Sequence, residues 1–92
     1  LKQMKLKANL KLRKVGRNYM LVDVSDADAN ITDVYTLNET AAFVWNAAAD
    51  HGVHAETLAS LVCEEYDVSN DIALSDIKSI LQTWRLSGLI VD

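Results

Sequence analysis

The sequence predicts an α+β domain in which a three-stranded antiparallel sheet is followed by three helices, in the order βββααα. Apolar residues recur at every second position in the first third of the chain and at helical spacing in the rest, with the change falling at Leu37-Asn38. The only three glycines, Gly16, Gly52 and Gly88, each stand at a boundary between periodic segments, where a turn or helix end is needed.

From Met4 to Leu12 the even positions are apolar (Met4, Leu6, Ala8, Leu10, Leu12) and bases fall on odd ones (Lys5, Lys7, Lys11, Arg13). That period of two predicts one continuous strand. Val15-Gly16-Arg17-Asn18 supplies turn residues, and Tyr19 to Val24 reads as a second strand, paired with the first as a hairpin. A polar, acidic loop from Ser25 to Asn30 follows. Ile31 to Leu37 is rich in β-branched and aromatic residues and predicts a third strand, with Ile31, Tyr35 and Leu37 on one face.

Ala41, Val44, Trp45 and Ala48 then follow at i, i+3, i+4 and i+7, the spacing of one helical face. Asn38 is the expected N-cap, Thr36 with Glu39 is the alternative capping pair, and Gly52 ends the helix. A second helix is expected from about Ala55 to Tyr66 with Leu58, Leu61, Val62 and Tyr66 inward. A third runs from about Asn70 to Ser87, with Ala73, Ile77, Ile80, Leu81 and Trp84 inward, and Gly88 stops it. Trp45 and Trp84 are expected to meet where the first and third helices cross. Leu89-Ile90-Val91 is an apolar tail expected to fold back on the sheet or the helices.

Ninety-two residues fit one domain, spanning 1–92. The single cysteine, Cys63, excludes an internal disulfide and suits a reducing compartment, so a cytoplasmic location is expected. No apolar run approaches the ~20 residues of a bilayer span, and the first residues lack the apolar stretch of a signal peptide, so no membrane partner is expected.

The net charge of −4 hides a division. Seven bases and no acid precede residue 18; beyond it stand thirteen acids against two bases, Lys78 and Arg85, a net −11. Nucleic-acid affinity comes from neutralised phosphates, so that acidic body opposes nucleic-acid binding. The basic first segment reads as a solvated strand face.

Catalytic constellations are thin. Cys63 neighbours the apolar positions Val62 and Tyr66 and reads as a small buried hydrophobe without a base to activate it. His51 and His54 lie three apart across Gly52, but no further ligand has matching spacing, so they read as turn histidines and no metal site is expected. Glu64-Glu65 belongs to the polar face of a helix. There is no glycine-rich phosphate loop, and the chain is expected to be no enzyme and to need no cofactor.

The third strand is different. A sheet edge exposes unpaired backbone groups that proteins usually guard with charge or proline. This strand has only Asp33, so it is either covered by the chain's own tail or open to an added strand from a partner. Lys78 and Arg85, seven apart, share one face of the third helix beside Ile77, Leu81 and Trp84. A groove between that helix and the third strand, rimmed by two cations, would take a peptide with apolar anchors and acidic residues.

The segment Val34-Tyr35-Thr36-Leu37-Asn38-Glu39-Thr40-Ala41-Ala42-Phe43-Val44-Trp45, above all Leu-Asn-Glu-Thr-Ala-Ala, resembles the strand-to-helix junction of the PqqD family, named for pyrroloquinoline quinone biosynthesis protein D. Leu58 to Tyr66-Asp67 and the closing Asp76-Ile77, Leu81, Trp84 and Ser87-Gly88-Leu89-Ile90 extend the likeness over roughly residues 10 to 91. The resemblance implies a winged-helix-like sheet followed by three helices. It also implies a recognition element for ribosomally made, post-translationally modified peptides: a peptide chaperone of natural-product biosynthesis that binds the leader segment of a precursor and presents it to a modifying enzyme, often a radical SAM protein. Carried onto this chain, it implicates Ile31, Thr32, Asp33, Val34, Tyr35 and Thr36 in backbone pairing with the leader, and Ile77, Lys78, Leu81 and Arg85 in the cleft. His54 departs from the family's usual serine or threonine cap. The alternatives are a winged-helix nucleic-acid binder, which the charge distribution opposes, and a structural subunit of a larger enzyme docking through the sheet edge.

Overall fold

A computed structural model describes residues 4–23 and 34–91. In chain order the elements are β1 (Lys5–Leu6), β2 (Leu10–Val15), β3 (Asn18–Asp23), β4 (Val34–Leu37), α1 (Glu39–His51), α2 (Ala55–Tyr66), α3 (Asn70–Leu86) and β5 (Ile90–Val91). They divide into a sheet unit, Ala8–Phe43, and a helical unit, Leu1–Lys7 with Val44–Asp92.

In the sheet unit, β2, β3 and β4 form an antiparallel sheet in that order, the sheet the alternation predicts. Gly16 at φ +63°, followed by Arg17 outside the positive-φ region, gives the two-residue type II′ turn that matches strand twist. Val15 and Asn18 are therefore the pair that closes the hairpin. Two cross-strand rows, Leu12–Leu21–Tyr35 and Lys14–Tyr19–Leu37, share one face, on which Leu21 and Leu37 are buried. On that face the Lys14 ammonium lies 5.9 Å from the centroid of the Tyr19 ring. The opposite face carries the row Arg13–Met20–Thr36 and the pair Lys11–Val22, with Lys11, Arg13 and Thr36 exposed. Asn38 caps α1, its Oδ1 accepting from the Ala41 N–H at 2.8 Å, so the Thr36/Glu39 alternative falls away.

The single strand expected from Met4 to Leu12 is instead two. Asn9 adopts φ +69°, a left-handed turn conformation that asparagine tolerates better than most residues, and it separates β1 from β2. Alternation survives across the break because each piece is a strand, but in different sheets. β1 pairs antiparallel with β5, Lys5 opposite Val91 and Leu6 opposite Ile90, and the Lys7 N–H donates to the Leu89 carbonyl at 2.8 Å. The apolar tail thus becomes a strand beside β1 and does not pair with β4.

The core of the helical unit is apolar, with Val44, Trp45, Leu58, Val62, Ala73, Ile77, Leu81, Trp84, Leu89 and Ile90 all buried. Leu61, Tyr66 and Ile80, expected inward, are half-buried. Trp45 and Trp84 meet edge to face, ring centroids 5.3 Å apart, as the helix periodicity predicts. α2 starts at His54 without a side-chain cap and ends at Asp67 in the left-handed region, its N–H donating to the Cys63 carbonyl at 3.1 Å. α3 is capped by Ser69, whose Oγ accepts from the Ile72 N–H at 3.4 Å. It closes in a Schellman motif: Gly88 at φ +80° donates to the Arg85 carbonyl, and Leu89 donates to the Trp84 carbonyl at 2.8 Å.

Candidate functional site

β4 is the edge of its sheet, with β3 as its neighbour among the described residues. The ladder fixes which of its backbone groups point outward. The pair flanking a two-residue hairpin turn is hydrogen-bonded, and bonded pairs alternate with unbonded ones along an antiparallel ladder. Starting from Val15–Asn18, the bonded pairs of β2 and β3 are therefore Arg13–Met20 and Lys11–Val22. Even-numbered residues of β3 face β2, so odd-numbered ones face β4 and bond through Tyr19–Leu37 and Leu21–Tyr35. Val34 and Thr36 are left with their N–H and C=O groups directed to the open edge. Of the six residues expected to pair with a peptide, Val34, Tyr35 and Thr36 thus lie on this strand, Val34 and Thr36 with outward backbone and Tyr35 with inward. Ile31, Thr32 and Asp33 lie outside the described residues.

The other expected site residues sit on α3, in the helical unit. Ile77 is 1% exposed and belongs to the core, so its side chain presents no surface to a ligand. Lys78, Leu81 and Arg85 line a cavity of about 290 Å³ together with Met4, Ala55 and Gln82. Met4, Ala55 and Gln82 were not evident from the sequence: Met4 comes from the start of the chain and Ala55 from the first residue of α2. Gln82 completes an i, i+3, i+4, i+7 stripe with the other three, a spacing that the sequence does contain.

Cys63 is half-buried, its Sγ 3.9 Å from the Asn70 Oδ1, so it is less enclosed than its apolar neighbours led one to expect. Its partner is an amide oxygen, which cannot act as a base toward a thiol. His51 and His54 are both exposed; His54 lines a second cavity, of about 270 Å³, with Gly52, Val53, the end of α1 and β1. Among the described residues no group of three or more His, Cys, Asp or Glu converges as a metal site. No helix among them is long and apolar enough to cross a membrane.

Two solved structures share the fold. One, described as lasso peptide synthetase B1 complexed with the leader peptide, aligns over 99% of this chain and 100% of its own, with a TM-score of 0.75 and 20% identity. The other, TbiB1 in complex with the TbiA(β) leader peptide, aligns over 94% of this chain and 93% of its own, with a TM-score of 0.73 and 15% identity. Among curated proteins no sequence matches significantly. The family model described as Coenzyme PQQ synthesis protein D (PqqD) matches residues 19–90, from the second residue of β3 to the first of β5. The chain belongs to the PqqD family.

Proposed function

We propose that this chain is a noncatalytic adaptor: it binds the leader segment of a ribosomally made precursor peptide by strand addition on β4 and presents that peptide to a modifying enzyme, with a radical SAM protein as the expected partner class. One observation supports this above all. β4 is an edge strand whose outward groups, on Val34 and Thr36, meet no neighbouring strand among the described residues. Such an edge gives affinity through main-chain hydrogen bonds, which any extended peptide can make, so selectivity has to come from side chains. Ile31 to Thr36 supply the pairing segment. Lys78, Leu81 and Arg85 supply side-chain selection, with Ile77 supporting them from the core.

The two structural relatives were each determined with a leader peptide, the ligand class proposed here. Binding of this kind requires no cofactor, and Cys63 beside Asn70 is not an activated nucleophile. The adaptor acts in the cytoplasm, where precursor peptides are made.

Titration calorimetry with a candidate precursor peptide, with and without its leader segment, tests the function. Binding is expected at one peptide per chain, lost when the leader is removed, and the peptide's mass should not change on incubation with this protein alone. Equal binding of the peptide without its leader, or a mass change without a second enzyme, contradicts it.

A further inference from the structure

We propose that the modifying enzyme docks, through an acidic surface of its own, on the face of the β2–β3–β4 sheet opposite Leu21 and Leu37; this rests on the adaptor function proposed above. By register, Lys11, Arg13 and Val15 of β2 stand on that face with Met20 and Val22 of β3 and Thr36 of β4. Lys11, Arg13, Val15 and Thr36 are exposed, Val15 at 54%, and Met20 and Val22 are half-buried. The middle strand is thus apolar and two cations flank it, with no acid in the rows Arg13–Met20–Thr36, Lys11–Val22 and Val15–Asn18. An apolar centre beside a charged border is the anatomy of a protein interface. Pairing of the leader along β4 leaves all of it unused.

Charge selects the partner. Beyond residue 18 the chain carries thirteen acids against two bases, so an acidic protein surface is repelled there and attracted to Lys11 and Arg13. That contrast orients the encounter. The leader and the enzyme do not compete, because a strand adds at the edge of a sheet and leaves its face open. In antiparallel addition the outward groups of Val34 and Thr36 bond two leader residues that are two apart, and directly opposed side chains share a face. The leader therefore extends the row Arg13–Met20–Thr36 by one side chain of its own. At ~4.8 Å per strand and ~3.3 Å per residue, three strands of at most six residues make a face of roughly 300 Å², well below the ~800 Å² per partner of a stable complex. An added leader strand enlarges it, so the enzyme holds the loaded adaptor more tightly than the empty one.

The probe is a purified enzyme that converts the precursor when this chain is present. Arg13→Glu and Lys14→Glu make the same charge change at adjacent exposed positions on opposite faces of β2, and thermal melts check that both fold. Leader affinity, read by calorimetry, should stay within about threefold of wild type in both. Conversion at sub-saturating enzyme should fall about fivefold in Arg13→Glu, stay within about twofold in Lys14→Glu, and recover in Arg13→Lys. Lys11→Glu, one row along on the same face, should match Arg13→Glu. Leader should tighten binding of enzyme to the wild-type chain at least threefold, and enzyme should tighten binding of leader by the same factor. Equal losses in Arg13→Glu and Lys14→Glu, or a loss in neither, with leader binding intact, would overturn the docking face and leave the adaptor function standing. Absence of leader binding by the wild-type chain would overturn that function itself.

Discussion

Thr36 lies directly opposite Met20 across β3 and β4, and Met20 lies directly opposite Arg13 across β2 and β3. Met20 bonds to Arg13, so the backbone of Thr36 is turned away from the sheet. The tight Gly16 turn between β2 and β3 thereby determines which groups a peptide meets on the neighbouring strand, β4.

Thr36→Pro and Val34→Pro each remove an outward N–H and leave the inner ladder intact. Each should weaken leader binding by about tenfold, the scale of a hydrogen bond plus the disturbed rows beside it, with a stability cost under ~1 kcal/mol. Tyr35→Pro breaks the bond to Leu21 and should lower the melting temperature markedly. Calorimetric titrations alongside thermal melts separate the two effects, and equal melting temperatures for Thr36→Pro and Tyr35→Pro would contradict the assigned ladder phase.

Asn38→Ala removes the side-chain oxygen that accepts the Ala41 N–H, and should cost about 1 kcal/mol in a urea denaturation experiment. Trp84→Ala empties one half of the edge-to-face pair with Trp45, both about 5% exposed or less. Its expected cost, ~3–5 kcal/mol, is a large share of the ~5–15 kcal/mol that holds a domain together.

Cys63→Ala should leave leader binding within about threefold, because the thiol touches Asn70 and no catalytic base. A folded Cys63→Ala protein that no longer binds would contradict this.

Duplex DNA should not be retained at ~150 mM salt, since phosphate binding weakens steeply as salt rises. The exposed Lys11 and Arg13 lie together on one sheet face, and α3 adds only Lys78 and Arg85 among its basic residues. Gel-shift retention abolished by removing Lys78 and Arg85 would instead favour the winged-helix nucleic-acid reading.

Periodicity in the sequence reveals the sheet, the three helices and the Trp45–Trp84 meeting, because each rests on local spacing. Alternation could not reveal the break at Asn9, since a strand that changes sheets keeps its period of two. The β1–β5 ribbon joins the two ends of the chain, a long-range pairing that no local window contains. For the same reason Lys78, Leu81 and Arg85 were evident as a helix face, while Met4 and Ala55 were not. Periodicity places Ile77 inward and it is core, whereas the resemblance grouped it with Lys78 in the cleft; neighbouring positions on a helix lie about a hundred degrees apart, so Lys78 can be exposed while Ile77 is not.

Amide hydrogen exchange, residue by residue, with and without the leader peptide, tests strand addition most directly. The Thr36 and Val34 amides should exchange much more slowly in the complex, while those of Tyr35 and Leu37, already bonded to β3, change little. Protection confined to β2 and the Gly16 turn, with Val34 and Thr36 unchanged, would contradict leader binding on β4.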